Sequence, residues 1–186
     1  EDMGAFRLAS EYAQRRLSAL EVAGAGRLDQ AQALIDLARP QINDSKPAEA
    51  ERSARRAAEL AEGHDAIALE AQILVAVLLR DRSQIDQAGA LLDRIEARLA
   101  ALPHGGGVTA VRAMRARADW LESKYRHTES RPMYDAVIAK AIGIQGSDSL
   151  IAARTRISAA WSRATTDDVA GTSRYLEAGL EVLRRL

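Results

Sequence analysis

The sequence predicts an all-α protein in which antiparallel helix pairs stack into an α-solenoid of about nine helices. One observation behind this is a small residue that recurs inside helix-like stretches at separations of 38, 42 and 41 residues. Another is an alanine that stands twelve positions before each of them. Recurrence at such a period is typical of solenoids, whose units stack on their neighbours. The small residues are Ala50, Ala88, Ser130 and Gly171, and the preceding alanines are Ala38, Ala76, Ala118 and Ala159.

Larger residues stand where they would fill the space beside these small ones. Positions four and seven after each small residue share one helix face with it, because a helix turns once every 3.6 residues. Those positions hold Ala54 and Ala57, Leu92 and Ile95, Tyr134 and Val137, and Tyr175 and Ala178. The first helices supply Leu34, Leu37, Val75, Leu79, Met114, Leu121, Ile157 and Trp161. We therefore expect both tryptophans, Trp120 and Trp161, to pack in the core.

Turn signals divide the chain into a first helix or cap over residues 1–24 and helix pairs over 27–62, 65–102, 108–142 and 148–186, within a single domain. Phe6, Ala13 and Leu17 give the first helix one apolar stripe. In the first pair, Pro40 should end or bend its helix, and Pro47 suits a helix start. The run Pro103 to Gly107 predicts a long loop. The low aromatic content, 4%, and abundant alanine suit closely packed helices, so we expect almost no strand.

The order of small and large residues resembles the tetratricopeptide repeat family, in the variety whose unit is lengthened to about forty residues. The residues that carry the resemblance are Ala118, Ser130, Tyr134, Ala159, Gly171, Tyr175 and Ala178. The glycine that follows the first helix in the family is missing here. The resemblance covers roughly residues 27 to 186. It implies a right-handed superhelix that binds other proteins and does no chemistry of its own.

The resemblance also implies that the first helix of each pair lines a concave groove. Arginine is abundant at the positions carried over, and its guanidinium can hold a carboxylate through two parallel hydrogen bonds. We therefore expect an acidic peptide or protein partner, with intramolecular pairs such as Arg115 with Asp119 as the alternative. The predicted groove residues are Arg39, Glu70, Arg80, Arg112, Arg115, Asp119, Arg156 and Arg163, with Ile35, Ile73, Val77 and Glu122 on the same faces.

Composition bounds the classes of function. Basic and acidic residues balance at 26 each, which favours neither nucleic acid nor an anionic membrane, and there is no cysteine. The histidines, His64, His104 and His127, stand far apart, so we expect no metal, no cofactor and no enzyme activity. Asp167 and Asp168 precede a helix and are expected to cap it.

The sequence thus favours a non-enzymatic interaction or regulatory module, as in the sensory part of a larger bacterial signalling protein, with the cytoplasm as the default location. Three alternatives stay open. They are a nucleic-acid binder that uses the arginines, a helical enzyme built around carboxylates and His127, and a homodimer joined through the last helix. That helix carries Tyr175, Leu176, Leu180, Val182, Leu183 and Leu186.

Overall fold

The computed structural model describes residues 2–103 and 105–185, and every regular element in them is an α-helix. The predicted all-α class is therefore confirmed. His104 and Leu186, which entered the sequence predictions, lie outside the described residues. The helices are α1 (Asp2–Val22), α2 (Arg27–Asn43), α3 (Pro47–Leu60), α4 (Asp65–Asp81), α5 (Ile85–Ala100), α6 (Gly107–Ser123), α7 (His127–Gln145), α8 (Leu150–Ala164) and α9 (Val169–Arg185).

The helices form two compact units, Glu1–Arg98 and Leu99–Leu186. In the first unit α1 packs on α2, and α3 follows against α2 and α4. In the second, α6, α7, α8 and α9 pack in chain order. The single repeat domain expected from the sequence stays a prediction.

The four recurring alanines lie where the repeat predicts. Ala38, Ala76, Ala118 and Ala159 are all 0% exposed. In the second unit Ala118 of α6 and Ala159 of α8 pack in one cluster with the ring of Tyr134 of α7. The methyl side chains of the two alanines let the helix backbones approach closely. The Tyr134 ring fills the space that remains beside them. The predicted packing register is confirmed at these positions.

The core of the first unit joins four helices. Ala13 and Leu17 of α1 pack with Leu34 of α2, Ala57 of α3 and Ala68 of α4. The apolar stripe predicted on the first helix therefore covers the first pair. Helix α1 thus contributes Ala13 and Leu17 to this core, and its role as a cap stays a prediction.

The turn inside each helix pair repeats one backbone conformation. Ser45, Ser83, Tyr125 and Asp167 all have φ between 56° and 61°, in the left-handed region that side chains other than glycine rarely adopt. They follow one another at 38, 42 and 42 residues. This is the place where the resembled family carries a glycine. The left-handed turn conformation is therefore present at these positions although none of them is a glycine.

Pro40 does not end its helix, which was one of the two effects predicted for it. Helix α2 continues to Asn43 with Pro40 inside its last turns. The following residue, Gln41, is buried and accepts a hydrogen bond from the Ser53 hydroxyl of α3 at 3.0 Å. The Asp44 N–H closes the helix on the Pro40 carbonyl at 2.8 Å. Tertiary contacts therefore hold the turn that the proline weakens.

Trp161 does not pack in the core, and that prediction is wrong. Its side chain is 70% exposed, while Ala159, Ala160 and Ser162 around it are buried. Helix α8 packs between α7 and α9 through small residues, so its largest side chain is left facing solvent. Trp120 is half-buried, with the Arg117 guanidinium 5.0 Å from its ring centre.

Candidate functional site

In the first unit, the predicted groove residues of α2 and α4 meet. The Arg39 guanidinium of α2 donates a hydrogen bond to the Glu70 carboxylate of α4. It also lies 3.6 Å from the carboxylate of Asp36, which pairs in turn with Arg16 of α1 at 2.5 Å. Burial lowers the pKa of Arg39, and Asp36 opposes that change. The first helices thus share one half-buried charged face.

The other predicted positions on this face are less available. Arg80 is engaged by its sequence neighbour Asp81, with 2.6 Å between Nη2 and Oδ1. Ile35 and Ile73 are buried in the core instead of facing solvent. In the described residues, the charged side chains of this face therefore pair with one another. Such intramolecular pairing was the alternative to a partner-binding role for the arginines.

In the second unit, Arg112, Arg115 and Asp119 are half-buried on α6. The Tyr134 hydroxyl of α7 donates a hydrogen bond to Asp119 Oδ1 at 2.8 Å. Burial, together with the Asp119 carboxylate, raises the pKa of Tyr134 above its ordinary value. Asp119 therefore anchors α6 to α7.

Arg115 is incompletely satisfied among the described residues. Its Nε lies 3.9 Å from Asp119 Oδ2, which is ion-pair range but too long for a hydrogen bond, and the buried Nε–H has no acceptor. Arg156 on α8 is half-buried and has no hydrogen-bond or ion-pair partner in the part of the chain that the structure describes. Both side chains therefore have hydrogen-bond donors that are unpaired among the described residues.

Arg163, also predicted in the groove, is 7% exposed and joins three helices. Its Nη2 lies 3.3 Å from Asp135 Oδ2 of α7, and its guanidinium lies 4.1 Å from the ring centre of Tyr175 of α9. Its Nε lies 3.7 Å from Asp168 Oδ2. Asp168 also accepts the N–H of Gly171 at 2.9 Å, as the predicted helix cap should. Arg163 therefore acts inside the fold.

Glu122 of α6 gathers three donors from α7 and α8. The hydroxyls of Ser130 and Ser162 both donate to its Oε1, the second at 2.6 Å. Nδ1 of His127 lies 3.0 Å from its Oε2. Both serine hydroxyls donate to the carboxylate, and the Ser130 hydroxyl also lies 3.3 Å from the backbone carbonyl of His127. Because neither hydroxyl contacts the His127 ring among the described residues, this is no Ser–His–acid relay. The cluster is a polar junction of three helices.

Comparison with solved structures decides the fold. The crystal structure of BtubC (BKLC) from P. vanneervenii is 14% identical to the chain, with a TM-score of 0.65 over 99% of this chain and 73% of that one. Two crystal structures of a Podosopora anserina putative kinesin light chain with nearly identical TPR-like repeats are also 14% identical. Their TM-scores are 0.57 and 0.55, over 98% of this chain and 88% and 89% of theirs. The chain has a TPR-like helical-repeat fold. No protein-family model and no curated protein matches it.

The TPR-like first helices thus hold arginines of two kinds, those paired within the fold and those with donors to spare. Sequence reasoning found both kinds and could not tell them apart. It missed a cleft between α3, α4 and α5, although Arg94 and Arg98 are spaced i, i+4 on α5 and so share a face.

Two structural findings concern other classes of function. Within the described ranges, no group of three or more histidine, aspartate and glutamate side chains could hold a metal ion. No helix in the part of the chain that the structure describes is long and apolar enough to cross a membrane.

Proposed function

We propose that the chain is a non-enzymatic protein-interaction module that binds a carboxylate-bearing peptide or protein through the first helices of its second unit. The observation that carries the proposal is the buried Arg115 Nε–H, which has no acceptor among the described residues. An unmet buried donor on a charged group costs about 1–3 kcal/mol or more. The Arg115 side chain as a whole is 31% exposed, so a ligand carboxylate can approach its guanidinium from solvent.

Two neighbouring features support the same ligand chemistry. Arg112 lies one turn before Arg115 on α6, and Arg156 of α8 adds a half-buried guanidinium without a partner in the described chain. Arginine forks match the planar geometry of a carboxylate. An acidic segment is therefore favoured over a basic or apolar one. Arg163 supports this face through its internal pair with Asp135 rather than by direct contact. Arg39, Glu70 and Arg80 make internal pairs within the first unit and take no part in the proposed site.

The proposal places the module in a larger bacterial signalling protein, in the cytoplasm, where partner binding would regulate an output domain. It does not include nucleic-acid binding, because the chain has zero net charge and nucleic-acid binders commonly carry a net basic surface.

Affinity capture from lysate of the native cell tests the proposal. The bait is the wild-type chain beside a variant with Arg112, Arg115 and Arg156 changed to alanine. A matched control removes the same charge at exposed arginines elsewhere, Arg15, Arg52 and Arg184. We expect a protein held by wild type and control and lost from the triple variant, with helicity unchanged.

Equal capture by all three baits contradicts the proposal. Nucleic acid in the eluate, released by a modest rise in salt, also contradicts it and favours the alternative of a nucleic-acid binder that uses the arginines. The captured protein should present an Asp- or Glu-rich segment whose charge neutralisation abolishes binding.

A second candidate function is self-association through α9. Val169, Leu176 and Leu180 are exposed on this helix, at spacings that place them on one side of it. Helix α1 likewise exposes Leu8 and Tyr12, four residues apart. Outer helices of solenoids associate when their apolar faces are not covered by polar residues.

Sedimentation equilibrium tests this second candidate. We expect the mass to rise with concentration for wild type, and to stay at one chain after Leu176 and Leu180 are both changed to glutamate. A monomer at every concentration for the wild-type chain rules out self-association as the function.

A further inference from the structure

A cleft of about 610 Å³ lies in the first unit between α3 and α5, with α4 below it. Its floor is apolar, with Val75 and Leu79 of α4 buried there. Ala58 of α3 and Ala90 of α5 line its sides. Because these two residues end at Cβ, they cannot fill the space above Val75 and Leu79. A concave apolar site with a few polar groups is the usual form of a binding site.

The rim of the cleft is basic. Three arginines line it, Arg55, Arg94 and Arg98, against one acidic side chain, Glu59. Arg55 is held by Glu51 at 2.7 Å and Arg98 by Asp65 of α4. Arg94 is exposed and has no hydrogen-bond or ion-pair partner among the described residues. The cleft thus presents an apolar floor beside an unused positive charge.

The shape of the cleft is that of a groove. Its α5 edge runs from Gln87 to Arg98, which spans about 16 Å at 1.5 Å per residue. That length corresponds to about three turns of a helix. Beside the charged side chains, Gln72 of α4 and Gln87 of α5 also line the groove. An extended peptide would bring backbone N–H and C=O groups onto an apolar floor without partners, whereas a helix satisfies its own.

From this geometry we infer a second binding site, a groove between α3 and α5 that takes an acidic amphipathic helix from a partner protein. The apolar face of that helix lies on Val75 and Leu79, and its carboxylates reach Arg94 and the flanking arginines. The site shares no residue with the first-helix face of the second unit. It therefore stands or falls independently of the proposed function.

Selection from a displayed library of fourteen-residue helical peptides tests the inference. The library is selected on the wild-type chain and counter-selected on Ala90→Trp. Because Ala90 is exposed, the indole should fill the groove without disturbing the fold. We expect enriched peptides that carry Leu, Ile or Val at i, i+4 and i+7 with Asp or Glu on both flanks.

Fluorescence anisotropy then measures how much each part of the groove contributes to the affinity for the enriched peptide. We expect Ala90→Trp to weaken binding about tenfold or more and Arg94→Glu to weaken it about fivefold, since the first blocks the floor and the second reverses one rim charge. Arg52→Glu, on an exposed arginine of α3 outside the groove, is the charge control and should bind as wild type does.

Three results overturn the inference. They are the absence of any peptide whose binding depends on Ala90, enrichment of basic or purely apolar sequences, and equal weakening by Arg94→Glu and Arg52→Glu. Circular dichroism and thermal unfolding of each variant confirm that the binding changes do not come from misfolding.

Discussion

The Glu122 carboxylate accepts a hydrogen bond from the Ser162 hydroxyl, forty residues later in the chain, with 2.6 Å between Oε1 and Oγ. The same oxygen accepts from Ser130, and the other faces His127. Both serines are buried, so loss of the carboxylate leaves the Ser162 hydroxyl without this acceptor and the Ser130 hydroxyl with only the His127 carbonyl, at 3.3 Å. The carboxylate is thus shared by α6, α7 and α8.

We predict that Glu122→Ala lowers the free energy of unfolding by about 3 kcal/mol, since each buried group left unpaired costs roughly 1–3 kcal/mol. Glu122→Gln should cost about 1 kcal/mol, because it keeps one carbonyl acceptor. Urea denaturation measures both. Glu129→Ala, which breaks a solvent-exposed pair with Arg126, is the control and should change stability by less than about 1 kcal/mol. Equal effects at the two glutamates would mean that the junction contributes no stability.

Arg163 gives a second prediction. Arg163→Ala removes a buried guanidinium from Asp135 and from the face of Tyr175, and should destabilise the second unit by about 2 kcal/mol. Breaking a fully buried pair costs about 3–5 kcal/mol, and Asp135 is half exposed and can regain water. Arg163→Lys should recover only part of the loss, because an ammonium cannot stack on the ring as guanidinium does. Full recovery in thermal unfolding would show that charge alone matters.

The Tyr134 hydroxyl gives a prediction about alkaline pH. Burial raises the pKa of Tyr134 in the folded state above the ordinary value of 10.0, which the unfolded chain keeps. Above about pH 10 the unfolded state loses this proton first, so stability is full below that pH and falls as pH rises, by up to about 1.4 kcal/mol per pH unit.

Urea denaturation between pH 8 and pH 11 measures this slope. Tyr134→Phe should lower stability at pH 8 by about 1 kcal/mol, because it removes the hydrogen bond to Asp119, and should also make the alkaline loss shallower. Tyr125→Phe, on an exposed ring, is the matched control. Parallel curves for Tyr134→Phe and wild type would contradict the prediction.

The recurring alanines predict where a larger side chain should lower the stability of the fold. Ala76→Leu should destabilise the first unit by about 1–3 kcal/mol, because Ala76 is fully buried where helices approach closely. Ala97→Leu, on an exposed position of α5, should have little effect. Thermal unfolding of the two variants compares them directly. A neutral Ala76→Leu would mean that the space beside it relaxes and that the repeat does not depend on small residues.

The left-handed turns predict a stabilising change. Ser83→Gly should raise the free energy of unfolding by about 0.5–1 kcal/mol, because φ of +61° strains a serine and not a glycine, and the gain exceeds the entropy glycine adds to the unfolded chain. Ser173→Gly, inside α9, should instead destabilise by about 0.5 kcal/mol. Chemical denaturation of both variants should show opposite signs. The same sign would show that backbone strain at Ser83 is negligible.

The helices and their packing register could be predicted from the sequence, because two backbones approach closely only where the side chain at the contact is small, as at Ala118 and Ala159. It was insufficient wherever the result depends on a partner distant in sequence. Pro40 stays helical because Ser53 holds the next residue. Trp161 is exposed because α8 packs through its smaller neighbours. Arg163 could be assigned to a groove by position, and its burial and its contacts with Asp135 and Tyr175 show that it lies inside.

The repeated turn also bears on how such a protein can change over time. What recurs at Ser45, Ser83, Tyr125 and Asp167 is a backbone angle, carried by three different side chains. Any residue that tolerates the strain can occupy the position, so the units are free to diverge in sequence without altering the bend that joins their helices. The chain can therefore lose nearly all sequence identity with other helical-repeat proteins and still share their architecture.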